Sequence, residues 1–150
     1  MKSEISIKFK YEFSELSDEA KQNVFNHIRE NWYDLGDVTV QEYIDSLKEL
    51  AKQIDGHLDY SISQVPDRGE YIKLNDFNEH KLKQLEQNKD NCPLTGVYSD
   101  VYCIEALIDS DLEQLHKQIH EEVEYIYSDE NLADMIEANN YEFDQDGNFI

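Results

Sequence analysis

Proline and glycine are scarce in this chain, with two and five residues in 150. A flexible or polyproline linker needs far more of both, so residues 1–150 read as a single acidic domain. Two cysteines, Cys92 and Cys103, are too few for a disulfide framework and read as free thiols in a reducing cytosol. No apolar run approaches the length of a membrane span, and the first ten residues are too polar and too short for a signal peptide. A cytoplasmic location inside a host cell, with no membrane partner, is the expectation. Bases almost vanish from the last third. Residues 99–150 hold 15 acids and one base, Lys117, a net charge of −14, against −7 for residues 1–98. Such a chain is repelled by a phosphate backbone, so direct nucleic-acid binding is not expected. There is no glycine-rich phosphate loop and no Gly-x-Ser-x-Gly elbow, and no catalytic residue is assigned.

What is present is a folding composition: 39% hydrophobic residues, enough for a core in a chain of this length. Glu4 to Phe13 alternates with period two and predicts a half-buried strand. Ser17 opens a helix whose stripe is Ala20, Val24, Phe25, Ile28 and Trp32. Tyr33 to Asp37 reads as a turn around Gly36. Thr39 and Glu42 then form a capping box for a second helix with Val40, Ile44, Leu47, Ala51 and Ile54 inside and Gly56 at its end. His57–Val65 and Glu70–Leu74 predict strands joined through Pro66-Asp67-Arg68-Gly69. Helices follow over Phe77–Gln87, over Tyr98–Ile108 with Ser99 and Asp100 as its cap, and from Ser110. Ser128 caps a short last helix, and Gln145-Asp146-Gly147 marks a terminal hairpin. The sum is an α+β fold, a small antiparallel sheet of three to five strands packed by four or five helices.

The densest signal lies between Asp109 and Asn139. Leu112, Leu115, Ile119, Val123 and Ile126 recur at spacings of three and four, a buried helix face. Around them sit Glu113, Glu121, Glu122, Glu124, Asp129, Glu130 and Asp134. A buried stripe accounts for the apolar positions but not for an almost purely acidic outside, since mixed charges suit a solvated face better. These carboxylates, with Tyr125 as an aromatic anchor, are the expected partner-binding residues. Tyr33, Tyr98 and Tyr127 are further candidate surface anchors.

Four stretches, 13–32, 59–72, 91–100 and 128–149, resemble a family of small acidic phage and prophage proteins, some of them described as antitoxin-like. The most specific pieces are Glu15-Leu16-Ser17-Asp18-Glu19-Ala20-Lys21 and Ile136-Glu137-Ala138-Asn139-Asn140-Tyr141-Glu142-Phe143. Related sequences often carry a Gly- and Asp-rich hairpin, reduced here to Pro66–Gly69. The resemblance implies a mobile genetic element as context and supplies no chemistry.

Two constellations bear on metal ligation. His116 and His120 are four apart on one helix face, with Glu113 and Glu124 on the same side, but no third ligand set is visible in the sequence. Glu142 to Gly147 mimics the start of a calcium loop, but the sequence has no acid at the twelfth position, so a tight Asp-Gly hairpin is expected there. Neither set is complete; no metal site and no cofactor are assigned. The expected function is a non-enzymatic inhibitor from a mobile element, with an acidic, DNA-mimicking surface. It would bind a basic nucleic-acid-binding defence protein of the host, of the CRISPR-effector or restriction-enzyme type. The alternative is an antitoxin-like or regulatory interaction module that neutralises a basic toxin or other protein.

Overall fold

Ser17 does what its position before an acidic turn predicts: its Oγ accepts the backbone N–H of Ala20 at 3.1 Å and starts α1, Asp18–Asn31. The computed structural model describes residues 9–64 and 69–150. Among them are six α-helices and four short strands. In chain order these are β1 (Tyr11–Glu12), α1, α2 (Asp34–Gln53), β2 (His57–Ser61), β3 (Tyr71–Asn75), α3 (Glu79–Gln87), α4 (Ser99–Ile108), α5 (Leu112–Ile126), α6 (Asp129–Ala138) and β4 (Glu142–Phe143). No helix among the described residues is long and apolar enough to cross a membrane.

The class is α+β, but among the described residues the expected single sheet of three to five strands is replaced by two separate two-stranded antiparallel ribbons, and helices number six rather than four or five. β1 and β4 pair from distant parts of the chain over two residues each, and Phe143 of β4 also bridges Phe149. β2 and β3 close on each other locally, from His57↔Asn75 to Ser61↔Tyr71. Of the strand expected over Glu4–Phe13, the part before Phe9 lies outside the described residues, as do Val65, Pro66, Asp67 and Arg68 of the expected hairpin turn.

The chain divides into two compact units, one of residues up to Tyr33 together with Ile126–Ile150, the other of Asp34–Tyr125. In the first, Phe13, Val24, Phe25, Ile28, Leu132, Ile136 and Phe143 are buried. Ser128 caps α6 through Asn131 N–H at 3.3 Å. The Asp-Gly hairpin forms as expected: Asp144 accepts from the N–H groups of Asp146 and Asn148 at 2.9 Å each, and Gly147 sits at φ +87°. A side chain at Gly147 would also collide, since a Cβ there would stand 2.3 Å from the Ala20 carbonyl oxygen.

In the second unit α2 buries Val40, Tyr43, Ile44, Leu47, Leu50 and Ala51, followed by Ile54. The turn expected at Tyr33–Asp37 and the capping box at Thr39 are both absent. α2 starts at Asp34, carries acidic Asp34 and Asp37 in its first turn, and runs through a buried Gly36. Glycine costs a helix only about 1 kcal/mol, a penalty that burial of the following apolar face outweighs. At the far end the left-handed residue is Asp55, at φ +55°, and Gly56 N–H reaches back to Ala51 O at 2.8 Å. In β3, Ile72 and Leu74 face inward and Lys73 faces out.

α4 packs on α2, and the seam between them is polar. The expected cap of α4 by Ser99 and Asp100 does not form, because both side chains have other partners. Ser99 Oγ lies 2.7 Å from Ser46 Oγ. Asp100, fully buried, accepts from Ser46 Oγ at 2.7 Å, from Thr95 Oγ1 at 2.9 Å, and from the backbone N–H groups of Leu94, Thr95 and Gly96 at 3.0, 2.8 and 3.0 Å. Burial alone would raise its pKa. The hydrogen bonds from Ser46 and Thr95 and the loop amides outweigh burial and hold it below the usual carboxylate range.

Candidate functional site

α5 is amphipathic for the reason its sequence suggests. Leu115, Ile119 and Val123 are buried one turn apart, and Leu112 and Ile126 at its ends are half-buried. At 100° per residue the opposite side carries Glu113, Lys117, Glu121, Glu124 and Tyr125, all exposed, Tyr125 at 54%. Glu122 does not belong to that face. It is half-buried and its Oε1 accepts the Tyr43 hydroxyl at 2.7 Å, while Gln118 Nε2 donates to the same hydroxyl at 3.3 Å. Burial, and then Glu122, hold the Tyr43 phenol well above its ordinary range.

The remaining expected partner residues lie on α6, in the other unit. Glu130 and Asp134 are exposed. Asp129 is engaged within its own unit, where Arg29 Nη2 stands 2.5 Å from its Oδ1 and Gln22 Nε2 donates to its Oδ2 at 3.3 Å. The Arg29 contact, followed by Gln22, lowers its pKa. Among the tyrosines, Tyr33 and Tyr98 are exposed, whereas Tyr127 donates its hydroxyl to the carbonyls of Trp32 and Tyr33 at 2.8 and 3.1 Å. Both cysteines are free; Cys103 is fully buried, which pushes its thiol pKa up, and Cys92 is half-buried.

One cluster of ligating atoms is only half visible in the sequence. His116 and His120 do project together from α5, but Glu113 and Glu124 stay in solvent. The carboxylate that meets the two imidazoles is Glu70, immediately before β3. Glu70 Oε2 lies 2.7 Å from His116 Nε2 and 2.8 Å from His120 Nε2, and the two Nε2 atoms are 3.1 Å apart. The side chains of Glu70, His120 and His116 are 3%, 10% and 20% exposed. Glu70 is anchored through its other oxygen, which accepts from Ser63 N–H at 2.8 Å and Ser63 Oγ at 2.5 Å. Burial would raise the Glu70 pKa; the bonds from Ser63 and then from the two histidines bring it down to about 2. His120 Nδ1 faces the Gln64 carbonyl oxygen at 3.2 Å. A shallow cleft of about 710 Å³ shares Ser63 and Gln64 with this cluster and is otherwise lined by residues including Asp34, Asp37 and Ile44.

Sequence reasoning missed Glu70 because nothing within four residues of it marks a ligand. It missed the role of Asp100 although a signal was present: the run Leu94-Thr95-Gly96 before a helix leaves amides that need an acceptor. Comparison of the chain with protein-family models, with curated proteins and with solved structures finds no match.

Proposed function

We propose that this chain is a non-enzymatic binding protein that engages a basic, nucleic-acid-binding protein through the exposed carboxylates of α5, and so competes with nucleic acid for that partner's groove. The class of target is a host defence nuclease, such as a CRISPR effector or a restriction enzyme, countered from a mobile element. The observation that carries the reading is the predominantly acidic outer face of α5, where Glu113, Glu121 and Glu124 stand exposed opposite the buried Leu115, Ile119 and Val123. The unit that holds this face has 21 acids against 8 bases in residues 34–125. A field of that sign speeds encounter with a basic surface.

Magnitudes limit the mimicry. The 15 residues of α5 span about 22 Å at 1.5 Å per residue. One DNA strand presents roughly six or seven phosphates over that length. Glu113, Glu121 and Glu124 number fewer, and Lys117 lies among them. The face therefore acts as a charged patch rather than a copy of a strand. A second reading, an antitoxin-like module that neutralises a basic toxin, draws on the exposed Tyr125 beside Glu121, an aromatic anchor within an acidic rim.

The test starts from affinity capture of a partner with the full chain. The combined Glu113→Lys, Glu121→Lys and Glu124→Lys variant is then compared with wild type at two salt concentrations, with nucleic acid as competitor. The reading expects binding that weakens with salt, yields to nucleic acid and is lost in the variant. Equal, salt-independent affinity of wild type and variant overturns it.

A further inference from the structure

We infer that Glu70, His116 and His120 form a binding site for one first-row divalent cation of the zinc type. The ligand atoms are Glu70 Oε2, His116 Nε2 and His120 Nε2, and a fourth position is left for water on the more exposed His116 side.

The cluster holds more lone pairs than hydrogens. The Gln64 carbonyl oxygen can only accept, so His120 Nδ1, 3.2 Å away, carries the hydrogen. With a single ring hydrogen, His120 presents a bare lone pair at Nε2. It faces a Glu70 oxygen, also an acceptor only, at 2.8 Å. Ser63 occupies Glu70 Oε1 with two donors and leaves Oε2 to the imidazoles. A hydrogen on His116 Nε2 can satisfy one of these acceptors. A cation between the three atoms satisfies all of them at once. Among the described residues no lysine or arginine pairs with Glu70, so the positive charge facing it there comes from a protonated imidazole or from a bound cation.

The shape of the cluster also suits an ion. Tetrahedral zinc at about 2.0–2.1 Å from each ligand requires ligand atoms roughly 3.3 Å apart. The three separations here are 2.7, 2.8 and 3.1 Å. Each edge has to open by only a few tenths of an ångström, within the freedom of a glutamate and two half-exposed or near-buried rings. Two imidazoles and one carboxylate suit zinc and its neighbours; calcium and magnesium prefer an all-oxygen shell of six or more. The outer contacts are also those of a built site. Ser63 fixes the carboxylate and the Gln64 carbonyl fixes the His120 tautomer, the arrangement that orients ligands around a metal. Because Glu70 precedes β3 and the histidines sit on α5, a bound ion fastens the β2–β3 ribbon to that helix.

The experiment uses the full, untagged chain stripped with a chelator and titrated with zinc, then with cobalt as a spectroscopic probe. Expected are one ion per chain, the intense visible bands of four-coordinate cobalt, and a rise in Tm on loading. His116→Gln and Glu70→Gln each weaken zinc binding by at least about tenfold, and Ser63→Ala, a positioning residue, by about tenfold. His57→Ala and His80→Ala, on exposed histidines elsewhere in the same unit, leave binding unchanged. Circular dichroism accompanies every variant. If Glu70→Gln fails to fold, His116→Gln, at the more exposed rim, decides. Absence of stoichiometric binding, six-coordinate cobalt spectra, or binding indifferent to a folded His116→Gln each overturns the inference.

Discussion

The Tyr43 hydroxyl donates to Glu122 Oε1 at 2.7 Å, and this contact divides three neighbouring acids of α5 into two kinds. Glu121 and Glu124 are exposed; Glu122 is half-buried and holds α5 to α2. Reversing their charges therefore has different consequences. Glu121→Lys and Glu124→Lys should each change stability by no more than about 0.5 kcal/mol. Glu122→Lys should cost about 1–3 kcal/mol, since it removes an acceptor and sets a cation against a buried phenol. Urea denaturation of the three single variants checks this, and equal effects at all three would disprove the division.

Asp100 is a buried carboxylate with five donors and, among the described residues, no cation paired to it. Asp100→Asn should lose about 2–4 kcal/mol, because the new amide faces donors with donors. Ser46→Ala, which removes one of the five, should lose about 1 kcal/mol. Equilibrium unfolding in denaturant measures both.

The same residue sets a pH dependence. Its folded pKa is lowered, so the stability it contributes is fully present above the unfolded value of about 4 and is lost as pH falls through the folded value. Protonating the other acids also relieves repulsion in a chain of net charge −21. The readout is therefore the difference between wild type and Asp100→Asn. That difference should shrink as pH falls below about 4 and stay constant between about pH 5 and pH 7. A difference that grows toward low pH would contradict the assignment.

Gly96 and Gly147 share nearly the same backbone, φ +86° and +87°, in different surroundings. A Cβ at Gly96 meets nothing within 4 Å, whereas one at Gly147 meets the Ala20 backbone at 2.3 Å. Gly96→Ala should cost about 1–2 kcal/mol, the left-handed penalty alone. Gly147→Ala adds overpacking against main chain and should cost roughly 2–5 kcal/mol in total. Thermal unfolding of the pair separates backbone strain from steric exclusion.

Ile119 is fully buried on α5, and Ile119→Ala should cost about 2–5 kcal/mol. Val38, exposed at 58% although apolar, gives the contrast: Val38→Ala should stay within about 0.5 kcal/mol. Denaturant midpoints of the two variants test the placement of the core.

Much of this molecule is written in short-range patterns. The stripes of α1, α2 and α5, the caps at Ser17 and Ser128 and the turn at Asp146-Gly147 depend on residues three or four apart, and all are legible from spacing alone. The start of α2 is not, because burial of its apolar face overrides the turn preference of Gly36. The charge excess of residues 99–150 is likewise a property of composition. Which acids face solvent was decided by packing. Glu121 and Glu122 are adjacent in sequence, and only the position of Tyr43, 79 residues from Glu122, separates their roles. Glu70 meets His116 and His120 across 46 and 50 residues. No helical or strand period carries that information, since it arises from how the β2–β3 ribbon lies against α5. The sequence by itself determined where the helices form and how much negative charge they carry. The tertiary structure alone decided which carboxylates remain outside and which converge on a histidine pair, because convergence is set by long-range packing and not by local spacing.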